Sequence, residues 1–219
     1  MPIFERDSRR IFFIHVPKTG GSSVTRLLES EGWVKVDRGI NKHLHHEEWS
    51  KLDKTWTFEF SLIRNPYERF LSQARWVAQG KKIEKISPHS VLRWAREVFY
   101  QCLPTHGKGM DDNHFRPQYE FIGNDTSFYR LEDQIDNLLA DLLSKDIVSK
   151  NAIFPHANIS PGSDVNMVVA WPLVPRLHDK FLNFYSDDFI HLGYSKDVPT
   201  FGLDINWSDY QIGDDLYFT

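Results

Sequence analysis

The chain alternates short apolar runs with stretches in which apolar residues recur every three or four positions. Ile11-Phe12-Phe13-Ile14-His15-Val16 is a nearly unbroken hydrophobic run closed by Pro17, the pattern of a strand covered on both faces. Lys18-Thr19-Gly20-Gly21-Ser22-Ser23 follows, and then Val24, Leu27 and Leu28 at helical spacing as far as Glu29. This predicts a strand, a glycine loop and a helix in that order. Trp33-Val34-Lys35-Val36 reads as a second strand, and Thr57 to Ile63 as another that ends at Arg64. Asn65-Pro66 interrupts it, and Tyr67 to Gln79 reads as a helix begun just after a proline. Val91 to Tyr100 is read as helix, and Leu103 to Asn113, rich in glycine, proline and polar residues, as loop. Phe121-Ile122 and Ser127-Phe128-Tyr129 read as short strands, Leu131 to Leu143 as an amphipathic helix, Asn151 to Gly162 as loop, and Val174 to Phe184 as helix. Strands alternating with helices predict an α/β fold around a central, mostly parallel sheet flanked by helices.

Composition narrows the function classes. The 219 residues are expected to form a single domain. Cys102 is the sole cysteine, which excludes an internal disulfide framework and a cysteine-based zinc cluster. Thirty acidic against 26 basic residues give a net charge of −4, contrary to the basic excess of a general nucleic-acid binder. No run approaches the ~18 apolar residues of a membrane span. Charges interrupt Met1-Pro2-Ile3-Phe4-Glu5-Arg6-Asp7 at once, unlike a secretory signal, so a cytoplasmic location is expected.

Two constellations carry chemistry. In Pro17-Lys18-Thr19-Gly20-Gly21-Ser22-Ser23, the glycines let the backbone approach a ligand, and amides at the helix start favour an anion. Lys18 adds positive charge, and Thr19, Ser22 and Ser23 add hydroxyls. The lysine precedes the glycines, so this is not a Walker A loop, nor is it G-x-G-x-x-G. The plainer reading is a glycine turn that only caps a helix. Arg64, at a strand end, and Ser72, eight residues on in the following helix, form the second constellation. Both can converge on one phosphate, the guanidinium by a forked pair of charge-assisted bonds. The plainer reading pairs Arg64 with Glu68.

Ile14 to Ser23 resembles the 5′-phosphosulfate-binding loop of sulfotransferases that use 3′-phosphoadenosine-5′-phosphosulfate (PAPS), and is most similar to the carbohydrate-type branch. Arg64-Asn65-Pro66-Tyr67-Glu68-Arg69 followed by Ser72 resembles the motif with which that family holds the 3′-phosphate. The resemblance implies a P-loop-NTPase-like three-layer fold, PAPS as donor, its desulfonated form PAP as product, and no metal. It assigns Pro17, Lys18, Thr19, Gly20, Gly21, Ser22, Ser23, Arg64 and Ser72 to donor binding, and gives Arg69 a structural role. His114 to Gln118, Tyr129 to Glu132, Pro155 to Asn158 and Asp188 to Tyr194 also resemble family segments. The likeness thus spans about residues 11–194 and leaves 195–219 as a tail.

Sulfuryl transfer to a hydroxyl needs a group to take the proton, and histidine suits it. His43, twenty-one residues before Arg64, is similar in placement to the family's catalytic histidine, whereas His46-Glu47-Glu48-Trp49 resembles a pattern of another branch. Both stay candidates, with His45 as an assistant. A zinc site at His43, His46 and Glu47 lacks the H-E-x-x-H spacing. Lys18 is also expected to act in catalysis, by stabilising charge on the bridging oxygen. The acceptor is expected to be a hydroxyl of a glycan or other small molecule. Trp76, Trp94 and Phe115 are candidate sugar platforms, His114 with Arg116 a candidate acceptor contact, and Arg75, Lys81, Lys82 and Lys85 a basic cluster for an anionic glycan. His15 is expected to be packed, and His156 and His178 carry no assignment. The rival readings are a Mg²⁺-dependent small-molecule kinase and a nucleotide-binding module without catalysis.

Overall fold

A computed structural model of the chain describes residues 3–36, 42–82, 88–155, 171 and 174–199. It divides into two compact bodies, one of residues 1–65 and 111–159, the other of residues 66–110 and 160–219.

The first body is α/β. Five strands, β1 (Ile3–Arg6), β2 (Arg9–Ile14), β3 (Val34–Val36), β4 (Phe58–Ile63) and β5 (Ser127–Arg130), form one sheet in the order β3-β1-β2-β4-β5. On one face Phe4, Ile11, Phe13, Phe60 and Leu62 pack against Val24, Leu27 and Leu28 of α1 (Gly21–Ser30) and against Leu138 and Leu142 of the helix Ile135–Ser144. On the other, Ile3, Phe12, Ile14 and Val16 meet Trp49, from the short helix α2 (His46–Trp49), and Phe121. The run Ile11 to Ile14 is fully buried because its side chains serve both faces alternately, each contributing about 1.5–3 kcal/mol.

The sheet is mixed where a mostly parallel one was expected. β2 pairs with β4 and β4 with β5 in parallel, but β1 pairs antiparallel with both β2 and β3. The hairpin turns at Asp7 and Ser8, both with left-handed backbone (φ 49 and 64), the arrangement whose twist suits a two-residue loop. Its charges hide it in the sequence. Glu5 and Arg10 face each other across the ladder and form an ion pair. Arg6 donates to the carbonyls of Glu31 and Ile147 at 2.9 and 3.2 Å, and Arg9 to that of Lys145 at 2.6 Å. Phe121, read as strand, instead ends the 3₁₀ turn Gln118–Phe121.

The second body is helical in its described residues. α3 (Pro66–Gly80) starts on a proline as expected. Pro88–Glu97 runs on through a wider π turn, Val98–Cys102, into Leu103–His106, part of the stretch read as loop. Pro175–Phe184 and Ser186–His191 complete it. Phe181 is the hub of its core, with ring centroids of Trp171, Tyr67 and Tyr185 at 4.7, 4.8 and 5.0 Å. Arg69 is buried here; burial lowers its proton affinity, and Tyr185 and Asp188 oppose that effect.

Candidate active site

Because β2 and β4 run in parallel as neighbours, their C-terminal ends open on the same edge of the sheet. The loop 15–20 leaves one end and Arg64 the other. Within the loop Thr19 is buried and donates its hydroxyl to the carbonyl of Val16 at 2.9 Å. Lys18 and Gly20 both take left-handed backbone (φ 69 and 93), and the Gly20 carbonyl accepts from the amides of Ser23 and Val24 to open α1. No acidic residue stands in the first turn of α1, where a carboxylate would compete with an anion for the helix's positive end.

The two glycines are needed for different reasons. Gly20 has the positive φ, and a Cβ there would lie 3.2 Å from Leu131. Gly21 is a matter of space. A Cβ at Gly21 would fall 2.0 Å from Nε2 of His15, so the buried imidazole lies flat on the bare backbone at the helix start.

Charge converges at this edge. Burial, and then the positive charges of Arg64 and Lys42, bring the Lys18 ammonium down to about 8. A lysine surrounded in this way gains from an anion. Arg64 is held by its own main chain, since its amide donates to Gln118 Oε1 at 2.8 Å and its carbonyl accepts from Gln118 Nε2 at 2.7 Å. The next amide, Asn65, donates to Glu132 Oε1 at 2.7 Å. Ser72 is half-buried on α3, in the second body.

Among the histidines the structure draws a distinction. His43 is buried, its ring centroid 4.9 Å from that of His15 and 5.0 Å from that of His114. Burial lowers it to about 4 against the opposing pull of Asp112, whose Oδ2 is 2.7 Å from His43 Nδ1. His45 instead stands at the start of α2, its carbonyl accepting from the Glu48 amide at 3.0 Å while its own amide donates to Glu48 Oε2 at 3.2 Å. His46 packs edge-on against Trp49 at 4.7 Å and lies against the bare Cα of Gly123. His178 bonds Tyr67 Oη at 2.7 Å.

Gln118, Glu132, Asp112 and Asn113 escaped the sequence reading as individual residues. The first two lie in segments that resembled the family, but their partners are 54 and 67 positions away. Of the candidate acceptor contacts, Phe115 is buried, Trp94 packs on Phe70 at 4.9 Å, and Trp76 is 49% exposed. Arg116 is engaged by Asn113 and Glu120. Lys81 and Lys82 are exposed, whereas Lys85 and His156 lie outside the described residues. Among the described residues no group of His, Cys, Asp and Glu is arranged to hold a metal ion, and no helix is long and apolar enough to cross a membrane.

The family model described as "Sulfotransferase family" matches residues 2–195. No curated protein and no solved structure matches the chain.

Proposed function

The chain belongs to the sulfotransferase family, enzymes that transfer a sulfuryl group from PAPS, and from that premise we propose how its own residues divide the work. The cations Lys18, Arg64 and Lys42, gathered where two parallel strands end, are the observation that carries the reading. They suit a donor with phosphate at both ends. The loop Pro17 to Ser23, with its left-handed Lys18 and Gly20 and the amides of the first turn of α1, holds the 5′-phosphosulfate in the manner of a P-loop. Arg64 takes the 3′-phosphate, as the likeness of its motif to the family's implies.

Bound PAPS supplies the sulfuryl group: a bond from acceptor oxygen to sulfur forms as the sulfur–oxygen bond to the 5′-phosphate breaks, its electron pair leaving with PAP. His43 takes the hydroxyl proton of the acceptor. Its neutrality in the buried site leaves it ready to do so, since a base must be unprotonated before transfer. Lys18 neutralises the charge that grows on the bridging oxygen. The acceptor is a carbohydrate hydroxyl, a choice supported by the likeness of the loop and the Arg64 motif to the carbohydrate-type branch and by the exposed indole of Trp76. His43 is preferred to His46 because the ring of His46 is committed to Trp49.

Titration calorimetry with PAP tests the donor site. Wild type is expected to bind PAP tightly and AMP weakly, and Arg64→Ala to lose about 10²-fold in PAP affinity through its charge-assisted bonds. Equal affinity for PAP and AMP would remove the basis of the assignment.

A further inference from the structure

Asp111, Asp112 and Asn113 occupy the left-handed backbone region in succession (φ 50, 55 and 64), a conformation that costs about 1–2 kcal/mol for each residue bearing a Cβ. Aspartate and asparagine bear it best, yet a run of three persists only where the surroundings fix it. His43 supplies the fixing contacts. Asn113 Nδ2 donates to the His43 carbonyl at 2.8 Å. Arg116 Nε donates to Asn113 Oδ1 at 2.9 Å, and its Nη1 donates to Glu120 Oε2 at 2.6 Å. Asp112 Oδ2 meets the ring itself, 2.7 Å from Nδ1. A carboxylate accepts there, so Nδ1 carries the proton, and the neutral imidazole keeps its lone pair on Nε2.

We propose that Asp112 is a positioning residue, which fixes His43 in the Nδ1–H tautomer so that Nε2 is the nitrogen that takes the acceptor's proton. This rests on the reading of His43 as the base. Among the described residues, Asp112 from the left-handed turn, His15 from the end of β2, His114 edge-on and Lys42 beside it in the chain act on the His43 ring. Asp112 supplies the negative charge among them. It strengthens the base in two ways, by its charge and by its hydrogen bond, both of which oppose the lowering by burial. It also stabilises the imidazolium that forms once the proton has moved.

Asp112→Asn tests this without disturbing the turn, because asparagine tolerates the same backbone. Nitrogen-15 spectra of the histidine rings read the tautomer and its titration directly. Wild type should show His43 protonated on Nδ1 and bare on Nε2. In Asp112→Asn that preference should be lost or the ring should titrate at still lower pH, with PAP affinity no weaker, since a negative charge beside Lys42 is removed, and melting temperature unchanged. Transfer from radiolabelled PAPS to a panel of neutral and anionic oligosaccharides should fall about 10²-fold, and Asp112→Asn should add nothing to His43→Ala. A wild-type ring protonated on Nε2, or identical tautomer and titration in Asp112→Asn, overturns the proposal, as does a loss confined to stability or PAP binding. Were His43→Ala to transfer normally, the assignment of the base would fail while the spectra still judged Asp112. Loss of transfer in His43→Ala beside normal turnover in Asp112→Asn would overturn the positioning role alone.

Discussion

Lys18 holds its proton less firmly than a surface lysine, and the consequence can be titrated. Its ammonium lies at about 8 in the ligand-free protein, lowered by burial and then by Arg64 and Lys42. A bound phosphosulfate would raise it again. The complex therefore binds more protons than the free protein above pH ~8, so PAP affinity should be level between about pH 7 and 8, where the phosphates are fully ionised, and fall by up to about tenfold per unit above it. Calorimetry in buffers of different ionisation enthalpy at pH 8.5 should register proton uptake. An affinity level through pH 9.5 would sink the assignment. Lys18→Ala should also lower turnover at saturating PAPS, beyond its effect on binding. At this scale the sequence disclosed the residue types but not their separate duties. Gly20 and Gly21 look equivalent in a string of letters, yet one answers to backbone conformation and the other to the His15 ring. His43, His45 and His46 differ by what lies against them, which is Asp112 from a distant segment, the first turn of α2 and an indole.

Elements were legible where one residue pattern decides them. The run Ile11 to Val16 signals a strand buried on both faces, and Val24, Leu27 and Leu28 line the inner side of α1. The hairpin strand β1 was not legible, because Glu5 and Arg6 interrupt its hydrophobicity and the carbonyls that Arg6 binds lie far along the chain. The junction of β2 with α1 offers a sharp test. Gly21→Ala places a methyl group where the His15 ring stands, and His15 is itself buried. Overpacking of this kind costs about 1–3 kcal/mol, so urea denaturation should show a lower midpoint at unchanged slope. Since His15 also touches His43, the same variant should shift the His43 ring resonances. A midpoint equal to that of wild type would mean that the loop has slack the structure does not indicate.

The whole molecule comprises two compact bodies, each assembled from two separate stretches of chain, and the family match at residues 2–195 runs through both. The alternation of strands and helices revealed the α/β class. The division into bodies was not visible, because neither is continuous in sequence. The loop, Arg64 and His43 all belong to the first body, whereas Ser72 belongs to the second. On the proposed reading, Lys18, Arg64 and Lys42 supply the positive charge that meets the donor's phosphates. Transfer of labelled sulfuryl groups from PAPS should therefore persist in excess EDTA. Abolition by EDTA, with rescue by Mg²⁺, would favour the kinase reading.

The guanidiniums of the first hairpin bind carbonyls up to 141 positions later, and the indole of Trp33 donates to the carbonyl of Ile147 at 2.7 Å. During synthesis, then, the opening hairpin leaves the ribosome long before the groups that anchor it. Arg64 waits likewise for Gln118, and Asn65 for Glu132. Long closures of this sort are slow and leave unpaired strands open to wrong partners. The nascent protein must therefore reach Ile147 before the anchors of its first hairpin can close.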